Sequence, residues 1–407
     1  MLFCLFGSAA AAKAQQVLMV PPPSYSVTPP AMQEEQQNEG LGWLQPGVGK
    51  IPLPGFSDLW HWGPVTLRPH ATYQLLYADG IQSAPGQQQA SVVQTFTAGM
   101  LFTIGTHWTL DYDASLTYYS NHQLTDSLGH SATLTWGTSY DDWTLGFSQG
   151  FTTSDAPNVE TGAQTSIQGY STSLSASHRF TSAFSMDFGV SQSISLVTGF
   201  TSSDTWSTSD WLNYQFWPRL DGALGVTYGY SAVSAGNDLS NESLQARLSW
   251  RIANKSSLVV HGGVADVQYL GSGLPDLITP TFGASFQYQA FRNTAISLSA
   301  DRGITPSLLQ NQASISTSLS VTLTQQILKR FSLSVAGSYG DNEYVASAAG
   351  INVNRSDTSY SISTSLSWAL LKRASIALTH QYSVNSSSAA GFSFASTQYG
   401  LQLGYSF

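Results

Sequence analysis

Long stretches of this chain alternate strictly between apolar and small polar side chains, with a period of two residues. In "FSLSVAGSY", Phe331, Leu333 and Val335 share one face, and Ser332 and Ser334 share the other. A strand sorts such a sequence into two faces, whereas a helix would scatter it around its circumference. The alternating stretches are longer than the strands of about 5–6 residues that are typical of soluble proteins. They fit membrane-crossing strands of about 9–11 residues with extensions.

The composition supports a membrane-spanning barrel. Charged residues make up 10% of the chain, against about 25% in soluble domains. Aromatic residues make up 12%, and no apolar run approaches the length of about 20 residues that a membrane-spanning helix needs. In a transmembrane β-barrel, each strand faces lipid on one side and water on the other. The net charge of −9 argues against non-specific nucleic-acid binding, which requires a basic surface.

Two kinds of connection alternate along the chain. Tight turns are predicted at Gly105-Thr106, Asp141-Asp142, Thr181-Ser182, Pro218-Arg219, Asn254-Lys255, Arg292-Asn293, Lys329-Arg330 and Lys372-Arg373. Longer stretches rich in Gly, Ser, Asn and Pro, such as "ADGIQSAPGQQQ", lie between them. Outer-membrane barrels combine short periplasmic turns with longer outer loops.

The number of connections predicts an antiparallel up-and-down β-barrel of about eighteen strands with both termini in the periplasm. Sixteen strands is the alternative, because the stretches around 211–216 and 296–301 alternate least regularly. The longest loop, near residues 340–357, is the one expected to narrow the mouth of the barrel.

The N-terminal region has the features of an export signal followed by a linker. "MLFCLFGSAAAAKAQQ" contains a short apolar core and then Ala12-Lys13-Ala14, which predicts a signal peptide over residues 1–14. Residues 15–60 are rich in Pro and Gln and are interpreted as a periplasmic linker. The barrel is assigned to residues 61–407. The single cysteine, Cys4, would leave with the signal peptide, so the mature chain would have no disulfide and no cysteine nucleophile.

The C-terminal strand carries alternate apolar residues and an aromatic last residue. Its expected outward face consists of Tyr399, Leu401, Leu403, Tyr405 and Phe407. The strand must pair with the first strand, around "VTLRPHATYQLLY", so that no sheet edge faces lipid. The pattern resembles the C-terminal recognition strand of Gram-negative outer-membrane proteins, which implies handling by the barrel-assembly machinery.

Roughly residues 60–407, including "WGPVTLRPHATYQLLYADGI", resemble the outer-membrane β-barrel porins of Gram-negative bacteria. The resemblance rests on this pattern along the chain and implies a pore or channel in the bacterial outer membrane, with no particular substrate.

Several charged residues and one histidine lie on the inward phase of the predicted strands. Charge on the lipid-facing side costs about 2–4 kcal/mol near the bilayer midplane, so these side chains are expected to line the lumen. Opposed charges across a pore bias its ion selectivity. Pairing with one another, or simple solvation of the wall, is the alternative role for each. The lumen candidates are Arg68, His70, Asp111, Asp113, Asp187, Asp221, Arg247 and Arg251.

Together these features predict passive diffusion of small hydrophilic solutes or ions. The expected partners are outer-membrane lipid, the assembly machinery and the solutes, and a homo-oligomer is left open. A structural or plugged barrel that acts as an anchor or adhesin is the alternative, but about eighteen strands enclose a lumen too wide for side chains to fill. The histidines are scattered, and no nucleophile elbow, phosphate loop or metal-ligand spacing occurs. The sequence therefore predicts no enzyme, no metal and no cofactor.

Overall fold

The computed structural model describes residues 61–328, 330–371 and 373–406, and it folds them almost entirely into β-strands. No helix among these residues is long and apolar enough to cross a membrane. The predicted signal peptide (1–14), the predicted linker (15–60) and Phe407 lie outside the described residues.

The described residues form nineteen strands, of which all but the first are long. They are β1 (His61–Trp62), β2 (Val65–Ala84), β3 (Gln87–Ile104), β4 (Trp108–Tyr119), β5 (Ser127–Tyr140), β6 (Trp143–Asn158), β7 (Ala163–Arg179), β8 (Phe184–Val197), β9 (Ser203–Trp217), β10 (Leu220–Val233), β11 (Leu239–Ala253), β12 (Ser256–Tyr269), β13 (Leu277–Phe291), β14 (Thr294–Pro306), β15 (Gln312–Ile327), β16 (Phe331–Ala346), β17 (Arg355–Ala369), β18 (Ala374–Ser387) and β19 (Phe394–Ser406).

The strands form one closed barrel. From β2 to β19 each strand pairs antiparallel with the next, and β19 returns to pair with β2 from Thr397↔Asp79 to Ser406↔His70. The short β1 adds two residue pairs to the start of β2. The prediction of eighteen barrel strands is therefore confirmed, and the alternative of sixteen is wrong. The two irregular stretches lie within the full-length strands β9 and β14.

The short connections occur where the sequence predicts them. Each of the eight predicted tight turns joins an odd-numbered strand to the next, from β3–β4 to β17–β18. At the other end, the strands continue into stretches that were predicted as loops. The stretch "ADGIQSAPGQQQ" belongs largely to β2 and β3, which are separated only by Pro85 and Gly86. Cross-strand backbone hydrogen bonding thus extends well beyond the alternating segments.

The outer face of the barrel is apolar and ends in aromatic residues. Leu224, Val226 and Leu244 are all more than half exposed and point away from the interior. Near the short turns, Trp143 stacks on His178 with ring centroids 4.4 Å apart. Amphipathic rings favour the lipid headgroup level. This explains why His178 stands on the outward phase of its strand, because it belongs to the aromatic belt.

The wall of the barrel opens at the loop end between β13 and β14. Their pairing stops at Phe282↔Arg302, although each strand continues in pairing with its other neighbour. Above this point, side chains of β14 to β16 pack on the inner faces of β11 and β12. The packed residues include Ile304, Ala313 and Val345 on one side and Leu239, Val267 and Tyr269 on the other. The upper parts of β14–β16 therefore pass inside the neighbouring wall.

Candidate functional site

The candidate site begins with the eight polar side chains that the sequence singles out. Each stands on the strand phase opposite to the exposed hydrophobic residues of its own strand, as Arg247 does between Leu244 and Leu248. The structure gathers them into two groups on separate walls. One group lies on β2 and β4, and the other lies on β8, β10 and β11.

The first group joins His70 to two aspartates of β4. His70 Nε2 lies 2.7 Å from Asp113 Oδ1, and Asp111 contributes a third donor atom nearby. Arg68 and Asp111 flank Leu101 in the register of β2, β3 and β4. Among the described residues, no ion pair joins Arg68 to Asp111. The group is therefore dominated by two carboxylates and one imidazole.

The second group is a hydrogen-bonded network centred on Arg247. Its Nη2 donates to Asn213 Oδ1 at 2.7 Å and lies 3.4 Å from Asp187 Oδ2. Asn213 Nδ2 donates to the same Asp187 oxygen at 2.9 Å. The Arg247 guanidinium also stacks over the Trp211 ring, 4.4 Å from its centroid. This network holds the cation in one orientation, with its charge partly compensated.

The position of Arg247 depends on small residues of β10. The guanidinium reaches from β11 to β8 and β9 across the intervening strand, where its register partner is Ala223. The Trp211 ring lies over Gly225, where an added Cβ would overlap with the ring. Asp221 interacts electrostatically with Arg251 and Arg247. All four predicted residues of this wall thus share one electrostatic neighbourhood.

Sequence reasoning missed several members of this inner surface. Asn213 and Trp211 hold Arg247, but an amide and an indole carry no charge signal in the sequence. His261 and Asp301 meet over Gly283, where a Cβ would overlap with the imidazole. A glycine within an otherwise regular strand is the one sequence signal that could have pointed to these close approaches.

The loop end holds a second functional element, which we call the mouth interlock. It consists of residues 159–162 between β6 and β7, residues 307–311 between β14 and β15, and Arg355–Asp357 at the start of β17. Glu160 accepts hydrogen bonds from Ser307 Oγ and, at 2.8 Å, from the Leu308 backbone N–H. Arg355 Nη1 donates to the Glu160 carbonyl oxygen at 2.8 Å. Three hairpins from distant parts of the chain are thereby joined across the mouth.

Arg355 is the centre of the mouth interlock. Its side chain is 6% exposed and forms an ion pair with Asp357, whose side chain is 1% exposed. The guanidinium carbon lies 3.8 Å from the ring centroid of Phe392 and 4.6 Å from that of Tyr344. Its Nη2 also donates to the Val159 carbonyl oxygen at 3.3 Å. A buried, fully engaged guanidinium of this kind fixes the hairpin tip in place.

Burial within the mouth interlock raises the pKa of the Glu160 carboxyl group. The hydrogen bonds from Ser307 and Leu308 and the nearby positive charge of Arg355 act in the opposite direction, and the negative charge of Asp357 adds to the effect of burial. The docked hairpin therefore favours the protonated carboxyl group relative to a solvated one.

Other loops converge on the same end of the barrel. The Thr201 backbone N–H donates to the Leu308 carbonyl at 2.9 Å, and Asn237 Nδ2 donates to the Ser347 carbonyl at 2.8 Å. The loop near 340–357, which is expected to narrow the mouth, is therefore accompanied at this end by other hairpins. That region supplies the anchoring Arg355, but the turns after β6 and β14 extend across the opening. Their short tips gave no sign of this in the sequence.

A closed eighteen-stranded antiparallel barrel with an apolar outer face, aromatic residues near its short turns and a polar inner network defines a class of protein. It has the architecture of an outer-membrane β-barrel, in the range of strand numbers that porins have. Residues 251–407, from the end of β11 to the C-terminus, match a family model described as "Putative beta-barrel porin 2". No curated protein matches the chain.

Three solved structures cover most of this chain at low identity. The outer membrane protein OpdK from Pseudomonas aeruginosa is 10% identical, with a TM-score of 0.45, over 84% of this chain and 99% of its own. OccAB4 from Acinetobacter baumannii is 14% identical, with a TM-score of 0.44, over 84% of this chain and 98% of its own. OccK11 (OpdR) from Pseudomonas aeruginosa is 14% identical, with a TM-score of 0.41, over 84% and 96%.

Proposed function

We propose that this barrel is a porin and that it passes small hydrophilic solutes and ions by passive diffusion. We also propose that its inner charges set the ion preference and that it does no enzymatic chemistry. The closed ring of strands from β2 to β19 carries this proposal, because barrels of about 16–18 strands enclose an aqueous channel. The two polar groups on β2–β4 and β8–β11 supply acidic and basic side chains to the lumen. Arg68, His70, Asp111, Asp113, Asp187, Asp221, Arg247 and Arg251 are its proposed lining residues.

The mouth interlock is the proposed constriction of this channel. Solutes entering from the loop side meet the hairpin tips held by Arg355 before they reach the charged walls. Release of this anchor would widen the entrance without altering the walls. The C-terminal residues Tyr399, Leu401, Leu403, Tyr405 and Phe407 are proposed to be recognised by the barrel-assembly machinery. Tyr399, Leu403 and Tyr405 are exposed on the outer face, which supports that role.

Planar-bilayer recording of the refolded mature chain tests the function. We expect discrete conductance steps, and a reversal potential in a salt gradient that shifts when Arg247 is replaced by Gln. A folded barrel that stays silent under all applied voltages, with Arg355→Ala equally silent, would refute the diffusion channel and favour the structural barrel. Heat-modifiable migration in gel electrophoresis serves as the control for folding.

A further inference from the structure

The group on β2 and β4 has the composition of a metal site. His70 offers an imidazole nitrogen, and Asp111 and Asp113 each offer a carboxylate oxygen. These three donor atoms all lie within 4.8 Å of one another. Imidazole suits Zn²⁺ and similar transition-metal ions, and carboxylates complete such sites in many proteins. We propose that His70, Asp111 and Asp113 bind a divalent transition-metal ion of the Zn²⁺ type on the inner wall of the barrel.

The backbone between the ligands is shaped for their convergence. His70 and Asp113 are the register partners of Gly99 on the two sides of β3. A Cβ added at Gly99 would overlap with both Asp113 Oδ1 and His70 Nε2. The strand between the donors thus carries no side chain at the point where they meet. An alanine there would force the imidazole and the carboxylate apart.

Charge also favours a cation at this point. Two carboxylates with a neutral imidazole carry a formal charge of −2, and Asp111 Oδ1 is buried without a hydrogen-bond partner. No lysine or arginine forms an ion pair with either aspartate among the described residues. A buried polar oxygen without a partner is costly. A divalent cation would satisfy this oxygen and remove the repulsion between the two carboxylates.

The chain provides its own matched control on another wall. His261 and Asp301 lie on the two sides of Gly283 in the same histidine–glycine–aspartate arrangement across three strands. They have no third ligand, because among the described residues only the His70 group brings three such side chains together. Arg247 is the register partner of His261 and adds positive charge beside it. This second arrangement should therefore not bind a divalent cation.

Isothermal titration of the detergent-solubilised mature chain with ZnCl₂ tests the site directly. We expect one Zn²⁺ per chain, and a loss of affinity of about tenfold or more in both His70→Asn and Asp111→Asn. His261→Asn should bind as the unaltered chain does. Affinity should fall at acidic pH, because the ligands must lose their protons to bind the ion. Ca²⁺, which prefers all-oxygen sites, should bind more weakly.

The outcomes separate this proposal from the channel function. A chain that conducts ions but does not bind Zn²⁺ overturns the metal site and leaves the channel intact. Binding that persists unchanged in both His70→Asn and Asp111→Asn also overturns it. A chain that binds Zn²⁺ in one-to-one ratio but never conducts supports the metal site and overturns the channel proposal. Heat-modifiable migration of each variant shows that a lost signal is not a lost fold.

Discussion

Replacement of Arg355 by alanine is the sharpest test of the mouth interlock. The substitution removes the hydrogen bonds to the carbonyl oxygens of Glu160 and Val159 and leaves Asp357 without its ion-pair partner. The barrel strands do not depend on this side chain, because their pairing is made by backbone groups. We therefore expect the mouth to open while the barrel stays folded.

The size of the effect follows from the burial of the pair. Removing one partner of a buried ion pair costs about 3–5 kcal/mol, and Asp357 is almost fully buried beside Arg355. This cost applies to the closed state, because in the open state the hairpin has moved away and water solvates Asp357. Since about 1.4 kcal/mol corresponds to tenfold in an equilibrium constant, the closed-to-open ratio should fall by about a hundredfold or more.

Single-channel recording measures this ratio directly. In Arg355→Ala, closed intervals should become shorter and rarer, and the largest conductance level should dominate. Asp357→Ala combined with Arg355→Ala should have a smaller effect than Arg355→Ala alone, because no unpaired carboxylate remains buried. Arg302→Ala is the matched control, since Arg302 of β14 donates a hydrogen bond to Thr317 Oγ1 of β15 and, among the described residues, none to the mouth interlock. Equal closed-state occupancy in Arg355→Ala and the unaltered chain would refute the reasoning.

Three further predictions follow from the same structure. Closure of the mouth should depend on pH, because the closed state binds the Glu160 proton more tightly than the open state does. The stability of the closed state therefore falls as pH rises through the raised pKa of Glu160, and acidic pH favours the closed mouth. Single-channel recordings across pH should show this dependence, and Glu160→Gln should remove it. Arg247→Cys should react with small water-soluble thiol reagents, whereas Leu248→Cys on the outer face should react only with lipid-confined ones; the reverse labelling contradicts the assigned faces. Deletion of residues 15–58 should leave heat-modifiable migration intact, because β19 closes the barrel on β2; loss of that migration in the deletion alone shows the prediction to be wrong.

The sequence predicts the barrel well because strands and short turns are marked by patterns within a few neighbouring residues. Alternation within "FSLSVAGSY" requires only that one face meets lipid, and a pair such as Asn254-Lys255 is sufficient to mark a two-residue turn. The strands are longer than predicted at the loop end, because the backbone ladder continues where the side-chain pattern no longer alternates.

The inner surface and the mouth could be predicted only in part. Charge and strand phase identify Arg247 and Asp187, but their meeting depends on the lateral register of four strands. Asn213 completes the network without any charge to reveal it. The contact of Arg355 with Glu160 joins residues 195 positions apart, and no local pattern encodes such a pairing. Prediction thus ends where function depends on contacts between distant hairpins.

The simple order of the strands has a consequence for how the chain reaches its native state. From β2 to β19 every pairing but one joins strands that are neighbours in sequence, so each hairpin can form from local contacts. The pairing of β19 with β2 is the single seam that joins the two ends of the domain. Until the seam closes, both strands present free edges, and closure pairs these two edges with each other. Closure of the folded barrel therefore depends on one strand pairing of ten residue pairs, from Thr397↔Asp79 to Ser406↔His70.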